Sequence, residues 1–214
     1  MVLAVGDAHL EQELSKAAAR GDRAAVIFNF ASAFDPASAE GTAHLRARLA
    51  EIASGTGMAM CGGGCIGFVS RDVRAIGFLE PGPLPTGPVA LVTHSGSAFS
   101  ALLRAERPFG WLLAVSSGQG IATSAAKYVE YALDLPGTGV VALVLERLRA
   151  PERLRGAFAR AERSVIPGVL FAVDASEAGR ATAEAHSGAP ALDVLVETET
   201  ARKVGDLAYH RAPP

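Results

Sequence analysis

Cysteine is nearly absent: the 214 residues hold two, Cys61 and Cys65. Two thiols cannot build the disulfide framework of a small secreted protein. Spaced by three glycines, with no histidine near, they also fall short of the four ligands of a structural zinc site, so no metal is expected. An excess of either charge is lacking too. Lys and Arg total 20 against 22 Asp and Glu. That balance excludes the basic field that nucleic acid needs and the polybasic patch that binds a membrane surface. No apolar run reaches the roughly 18 residues of a membrane helix. The amino terminus has neither the basic start nor the small-residue cleavage site of a signal peptide. The cytoplasm is the expected compartment. There is no low-complexity tract and no internal repeat beyond a strand-helix rhythm.

That rhythm is what the chain does have. Half of its residues are apolar, enough for a packed core. Short apolar runs at Val2–Val5, Ala24–Phe28 and Met58–Cys61 read as buried strands. Helices are expected between them, from His9 to Ala19 and from Pro36 to Ser54. A second series has strands at Val89–Val92, Trp111–Val115, Gly139–Leu145 and Gly168–Val173. Its helices are Ser97–Arg107, Ile121–Leu133 and Pro151–Ser164, the last opened by a proline suited to a first turn. Alternation of this kind predicts an α/β fold with parallel sheets in three layers.

Between the two series, Glu80 to Pro88 holds four prolines in nine residues. Proline fixes φ and removes a donor, so this stretch is expected to be neither helix nor central strand. The expected division is residues 1–72, a linker at 73–88, a second unit at 89–192 and a tail at 193–214. The first unit has only three strands and no Gly-rich strand-to-helix turn. It resembles the second half of a nucleotide-type domain, with an edge left open.

Four segments follow strand ends in the second unit, and in a parallel sheet such loops share the carboxyl edge where ligands bind. Thr93-His94-Ser95-Gly96-Ser97 and Ser116-Ser117-Gly118-Gln119-Gly120 each read as opening a helix. Free amides in a first helical turn attract an anion, and glycine lets the backbone approach it. Ser95, Gly96, Ser97, Ser117 and Gly118 are therefore candidate phosphate contacts; the alternative is two ordinary capped helix starts. Glu146 ends an apolar strand. It could hold the N–H of a histidine, or be a solvated side chain paired with Arg147 or Arg149. His186 lies among small residues in Ala185-His186-Ser187-Gly188-Ala189. His94 either lines the same edge or flanks a turn. Gly62-Gly63-Gly64 marks a tight bend where backbone meets ligand or a neighbouring domain.

In this order the segments resemble the NDP-forming acyl-CoA synthetases of the succinyl-CoA synthetase superfamily, in particular the feruloyl- or acetyl-CoA synthetase group. The family's Gly-Pro-Asn-Cys-x-Gly is similar to Gly62 through Gly67, and its Ser-Gln-Ser-Gly-x turn to Thr93 through Ser97. Its Ser-x-Gly-Asn turn and following helix resemble Ser116 through Asp134. Its strand ending in Glu matches Glu146, and its Ser-His-Thr-Gly-Ala matches Ala185 through Ala189. The resemblance runs over roughly residues 1–192. It implies half of a CoA-binding Rossmann domain followed by a flavodoxin-like ligase domain. It further implies a reaction of acyl acid, CoA and nucleoside triphosphate giving acyl-CoA, nucleoside diphosphate and phosphate. His186 would carry the phosphoryl group, Glu146 would orient it and Gly188 would join the phosphate contacts. Gly64 and Cys65 would touch CoA.

The departures have consequences. The family's Pro-Asn is Gly63-Gly64 here, its Asn is Gln119, and its Lys-x-Gly is replaced around Ala172-Val173-Asp174. The Gly-rich CoA-phosphate turn and the ATP-grasp domain, which supplies ATP or GTP with Mg, have no counterpart. The chain thus reads as a fragment or one part of a split enzyme. Its expected partners are an ATP-grasp domain and the other Rossmann half. The alternatives are a non-catalytic acyl-CoA-binding module, as in related protein acetyltransferases, and a degraded remnant.

Overall fold

A computed structural model describes residues 1–28, 39–71, 73–77, 82–146 and 149–172, with two further strands at 201–204 and 207–210. The first sheet has the order β1-β2-β3, all parallel: β1 Val2–Leu3, β2 Ala24–Ile27 and β3 Ala59–Gly62. Helix α1, Asp7–Ala19, buries Leu10, Leu14 and Ala17, which recur at helical spacing along one face. Helix α2, Ala39–Thr56, adds Leu49 and Ala53 to the same cluster, with Ala25, Ile27 and Met60 of the sheet. Both helices therefore cover one face of this sheet.

Its other face is closed by the second unit. Val26 and Cys61 share a core with Cys65, Ala90, Leu113 and Val115. The outer edge of β3 is capped by side chains. The Met60 N–H donates to Thr123 Oγ1 at 3.0 Å, and the Tyr128 O–H donates to the Met60 carbonyl at 3.5 Å. These hydroxyls satisfy edge groups that a fourth strand would otherwise take.

The second sheet has four parallel central strands with antiparallel margins, in the order β10-β11-β9-β8-β6-β7-β4-β5. Its members are β4 Gly67–Ser70, β5 Arg74–Ile76, β6 Thr86–Thr93, β7 Trp111–Ser116, β8 Val140–Leu145, β9 Gly168–Ala172, β10 Ala201–Val204 and β11 Leu207–His210. Helix α3, Gly96–Arg104, packs Phe99 and Leu103 on one face, against Leu91, Trp111 and Ala114. On the other face, α4, Ala125–Asp134, and α5, Pro151–Arg163, cover Val92, Val141, Leu143 and Leu145. Helix, sheet and helix make the expected three layers. No helix among the described residues is long and apolar enough to cross a membrane.

Two expectations need correction. The boundary expected at residue 72 falls inside a hairpin. β4 pairs antiparallel with both β5 and β7, so the chain has joined the second sheet by Gly67. Apolar alternation in these short strands is too brief to read against the prolines that follow. The proline-rich stretch also does not stay outside the sheet. β6 begins at Thr86, and Pro88 lies within it, where the register with β7 shifts between Thr86 and Ala90. A bulge at a strand's start is where a missing N–H is tolerated. The Pro88 carbonyl still accepts from the Gly139 N–H at 2.9 Å.

Candidate functional site

Strands β6 and β7 exit side by side, with Thr93 opposite Ser116, and β8 runs along the far side of β6, with Val144 opposite Thr93. The loops that follow are therefore neighbours at one carboxyl edge. The turn after β6 is tied by its own side chains. Thr93 Oγ1 accepts from the Ser95 N–H at 3.0 Å and donates to the Ser95 carbonyl at 3.1 Å. Ser95 then caps α3, its Oγ accepting from the Ala98 N–H at 3.2 Å. The amides of Gly96 and Ser97 lie in the first turn and have no acceptor within the helix. The positive end of the α3 dipole lies behind them.

The turn after β7 behaves differently from the expectation. α4 starts at Ala125, not near Ile121, so Ser117 and Gly118 belong to a loop. The Ser117 N–H and hydroxyl both donate to the Thr93 carbonyl, at 2.8 and 3.2 Å. Ser117 thus binds the two turns together with groups that were expected to face an anion.

The glycine bend after β3 completes the edge. The Gly63 carbonyl accepts from Gln119 N–H at 2.9 Å, the Gly62 carbonyl from Ile121 N–H at 3.2 Å, and Ser116 Oγ from Ile66 N–H at 3.1 Å. Gly118 has φ +58°, and a Cβ there would lie 2.3 Å from the Gly63 oxygen and 2.9 Å from the Cys65 nitrogen. Only glycine permits that approach. Gly64 and Cys65 are consequently held against the Ser117-Gly118 loop. Cys65 is buried, and its thiol donates to the Ile27 carbonyl at 3.2 Å. The adjacent Cys61 thiol, and burial, push the Cys65 thiol up, so it stays protonated.

Glu146 follows β8 and is half-buried at the same edge. Its backbone N–H donates to His94 Nδ1 at 3.3 Å. His94 therefore lines the edge and joins the first turn to Glu146. Sequence left that histidine undecided; only the pairing of β6 with β8 brings the two together. Two arginines nearby were also missed as a pair. Burial, then the charge of Arg149, lowers Arg46 below the ordinary guanidinium range. Arg149 follows Glu146 by three residues, whereas Arg46 comes from α2 in the first unit. Gln119 has its Oε1 buried with no hydrogen-bond partner. His186 and Gly188 lie outside the described residues. An apolar cavity of about 1020 Å³ opens beside Ala24, Ala59, Tyr128 and Tyr131, and none of the expected site residues among the described ones lines it.

The model of the succinyl-CoA ligase like flavodoxin domain matches residues 86–210, more than half of the chain. The chain belongs to that family. The match begins where β6 begins and runs to residue 210, into the tail expected at 193–214. A trans-feruloyl-CoA synthase from an unknown prokaryotic organism is 31% identical over 210 residues. The alignment takes in 94% of this chain and 29% of that protein, so the chain spans under a third of its relative's length. Among solved structures, the dinucleotide forming acetyl-coenzyme A synthetase 1 of Ca. Korarchaeum cryptofilum, in complex with phosphate and ADP, superimposes with a TM-score of 0.76. It is 20% identical, over 90% of this chain and 42% of that one. ATP citrate lyase from Methanothrix soehngenii, in complex with citrate and coenzyme A, gives a TM-score of 0.61 at 15% identity, over 94% of this chain and 33% of that one. The chain shares the fold of these structures.

Proposed function

We propose that the chain is the phosphoryl-carrying portion of an NDP-forming acyl-CoA synthetase. The observation that supports it most is the convergence of three loops, Gly62–Gly67, Thr93–Ser97 and Ser116–Gly120, with Glu146 at one carboxyl edge. Half of that edge comes from the unit that resembles a CoA-binding domain, and half from the ligase-type sheet. His186 is the carrier. A neutral imidazole is a competent nucleophile toward phosphorus and a good leaving group in the return step. In the forward direction, His186 takes the γ-phosphoryl group of the nucleoside triphosphate, releasing the diphosphate, and passes it to the carboxylate of the acyl acid; the CoA thiol then attacks the acyl phosphate, giving acyl-CoA with phosphate as the leaving group. Glu146 fixes the ring's tautomer and offsets its charge. The amides of Gly96 and Ser97, with Ser95 shaping their turn, neutralise phosphoryl oxygens. Gly118 and Gly188 allow close approach, and Ser117 holds the two turns in register.

CoA fits the glycine bend chemically. Gly64 is exposed between the buried Gly63 and Cys65, so it offers a side-chain-free backbone to a ligand. CoA would supply the accepting thiol there. ATP or GTP with Mg belongs to an ATP-grasp partner, and the remaining Rossmann half to another segment or chain. The relative's name points to aromatic acyl acids as one substrate class.

The test mixes the full chain with an ATP-grasp partner, Mg and γ-labelled ATP or GTP. Acid-labile label is expected on the wild type and absent from His186→Asn. Wild-type chain that takes no label under conditions that label a relative overturns the reading. The second reading, a non-catalytic acyl-CoA-binding module, draws on Gly63-Gly64 standing where the family has Pro-Asn. It is favoured if His186→Asn keeps full cellular activity.

A further inference from the structure

We propose that His94 is a positioning residue for Glu146, held as the Nε2–H tautomer so that its Nδ1 accepts from the Glu146 backbone amide. The inference rests on the reading of Glu146 above, but its geometry stands apart from it.

The parallel ladder between β6 and β8 sets the pattern. Val89 to Thr93 pair in order with Val140 to Val144, and the His94 N–H continues the ladder by donating to the Val144 carbonyl at 3.1 Å. In a parallel pair, the carbonyl of the same residue should next accept from the amide two residues further along the partner. That amide belongs to Glu146. It donates instead to His94 Nδ1, at 3.3 Å. An imidazole nitrogen thus stands in for a backbone carbonyl at the point where the two strands diverge. The substitution lets the chain at residue 94 turn into the cap of α3 while the end of β8 stays anchored. Without it, the first residue past β8 would lose this tie to β6, and Glu146 would move with the loop.

The chemistry of the ring follows. A nitrogen that accepts carries no proton, so the neutral ring has its hydrogen on Nε2. An amide side chain can also present an acceptor. Glutamine at position 94 is therefore the replacement that keeps an acceptor.

The experiment uses the full chain labelled with ¹⁵N-histidine and assigned by comparison with His94→Gln. Ring correlation spectra are expected to show unprotonated Nδ1 and protonated Nε2 for His94. Hydrogen exchange at the Glu146 amide should quicken about fivefold in His94→Ala, the weight of one typical hydrogen bond. His94→Gln, which restores an acceptor, should exchange like the wild type. Phosphoryl labelling with the ATP-grasp partner should slow in His94→Ala and recover in His94→Gln. An Nδ1–H tautomer, or an unchanged Glu146 exchange rate in His94→Ala, overturns the proposal. Should His94→Ala fail to fold, the tautomer of the wild-type ring and the wild-type-like exchange of His94→Gln still decide it. Absent label on wild type, with the tautomer and exchange as expected, would remove the phosphoryl reading and leave the coupling of His94 to Glu146 in place.

Discussion

Gly118 is the hinge of the site's packing, and replacing it by alanine is a quantitative test of the whole arrangement. Two costs arise. At φ +58° an L side chain occupies left-handed backbone, which costs about 1–2 kcal/mol. The new Cβ would also sit 2.3 Å from the Gly63 oxygen and 2.9 Å from both Cys65 N and Gly64 C. All three are backbone atoms, so no flexible side chain can swing aside. Moving one loop off the other resembles overpacking, for which about 1–3 kcal/mol is typical. Together these amount to roughly 2–5 kcal/mol, a large share of the 5–15 or so kcal/mol of a normal domain. With a urea slope of about 2–3 kcal/mol per molar, the midpoint should fall by roughly 1–2 M. Gly156 is the internal control. It lies exposed in the middle of α5, and a Cβ there meets nothing within 4 Å. Gly156→Ala should therefore raise stability by about 0.5–1 kcal/mol, because alanine is the better helix former. A Gly118→Ala midpoint equal to wild type would refute the close contact between the two loops.

Two further outcomes are expected. Thr123→Val removes the acceptor of the buried Met60 N–H while keeping the side chain's shape, and should cost about 1–3 kcal/mol in denaturant titrations; Thr123→Ser should stay near wild type, and a neutral valine would mean that the β3 edge is not capped there. Arg153 hydrogen-bonds the Glu130 carboxylate at 2.7 and 2.6 Å and holds it below the ordinary carboxylate range. A depressed folded value contributes stability above the unfolded pKa of about 4.3, which is lost as pH falls through the folded value. Both side chains are partly exposed, so the contribution is screened to below about 1 kcal/mol. Glu130→Gln should flatten that acid limb slightly, and 1 M salt should shrink the difference. An acid limb unchanged in Glu130→Gln would refute the pairing.

The site depends on both units at once. The Gly62–Gly67 bend leaves the first sheet, whereas the loops it touches leave the second. Loss of the core that Val26 and Cys61 share with Leu113 and Val115 would therefore pull the bend from Gly118 without altering any site residue.

Much of this was legible in the chain. Runs such as Val140–Leu145 are too apolar to lie anywhere but a sheet interior, and Leu10, Leu14 and Ala17 recur at the spacing of one helix face. Strand-helix alternation then dictates parallel strands, and parallel strands place every following loop on one edge. Those are local or periodic properties, so residue order alone carries them. The rest depended on which strands became neighbours. β4 and β5 were hidden because each is only three or four residues long, and pairing with β7 supplies their order. Pro88 entered a central strand because a bulge absorbed its missing donor. Ser117 turned from a candidate anion contact into a brace because the Thr93 carbonyl lay within reach of both its donors. His94, one ambiguous imidazole in the sequence, became the anchor of Glu146 only when β6 and β8 lay side by side. Periodicity specifies what each segment becomes, whereas a hydrogen bond across 52 residues exists only once the sheet has chosen its order.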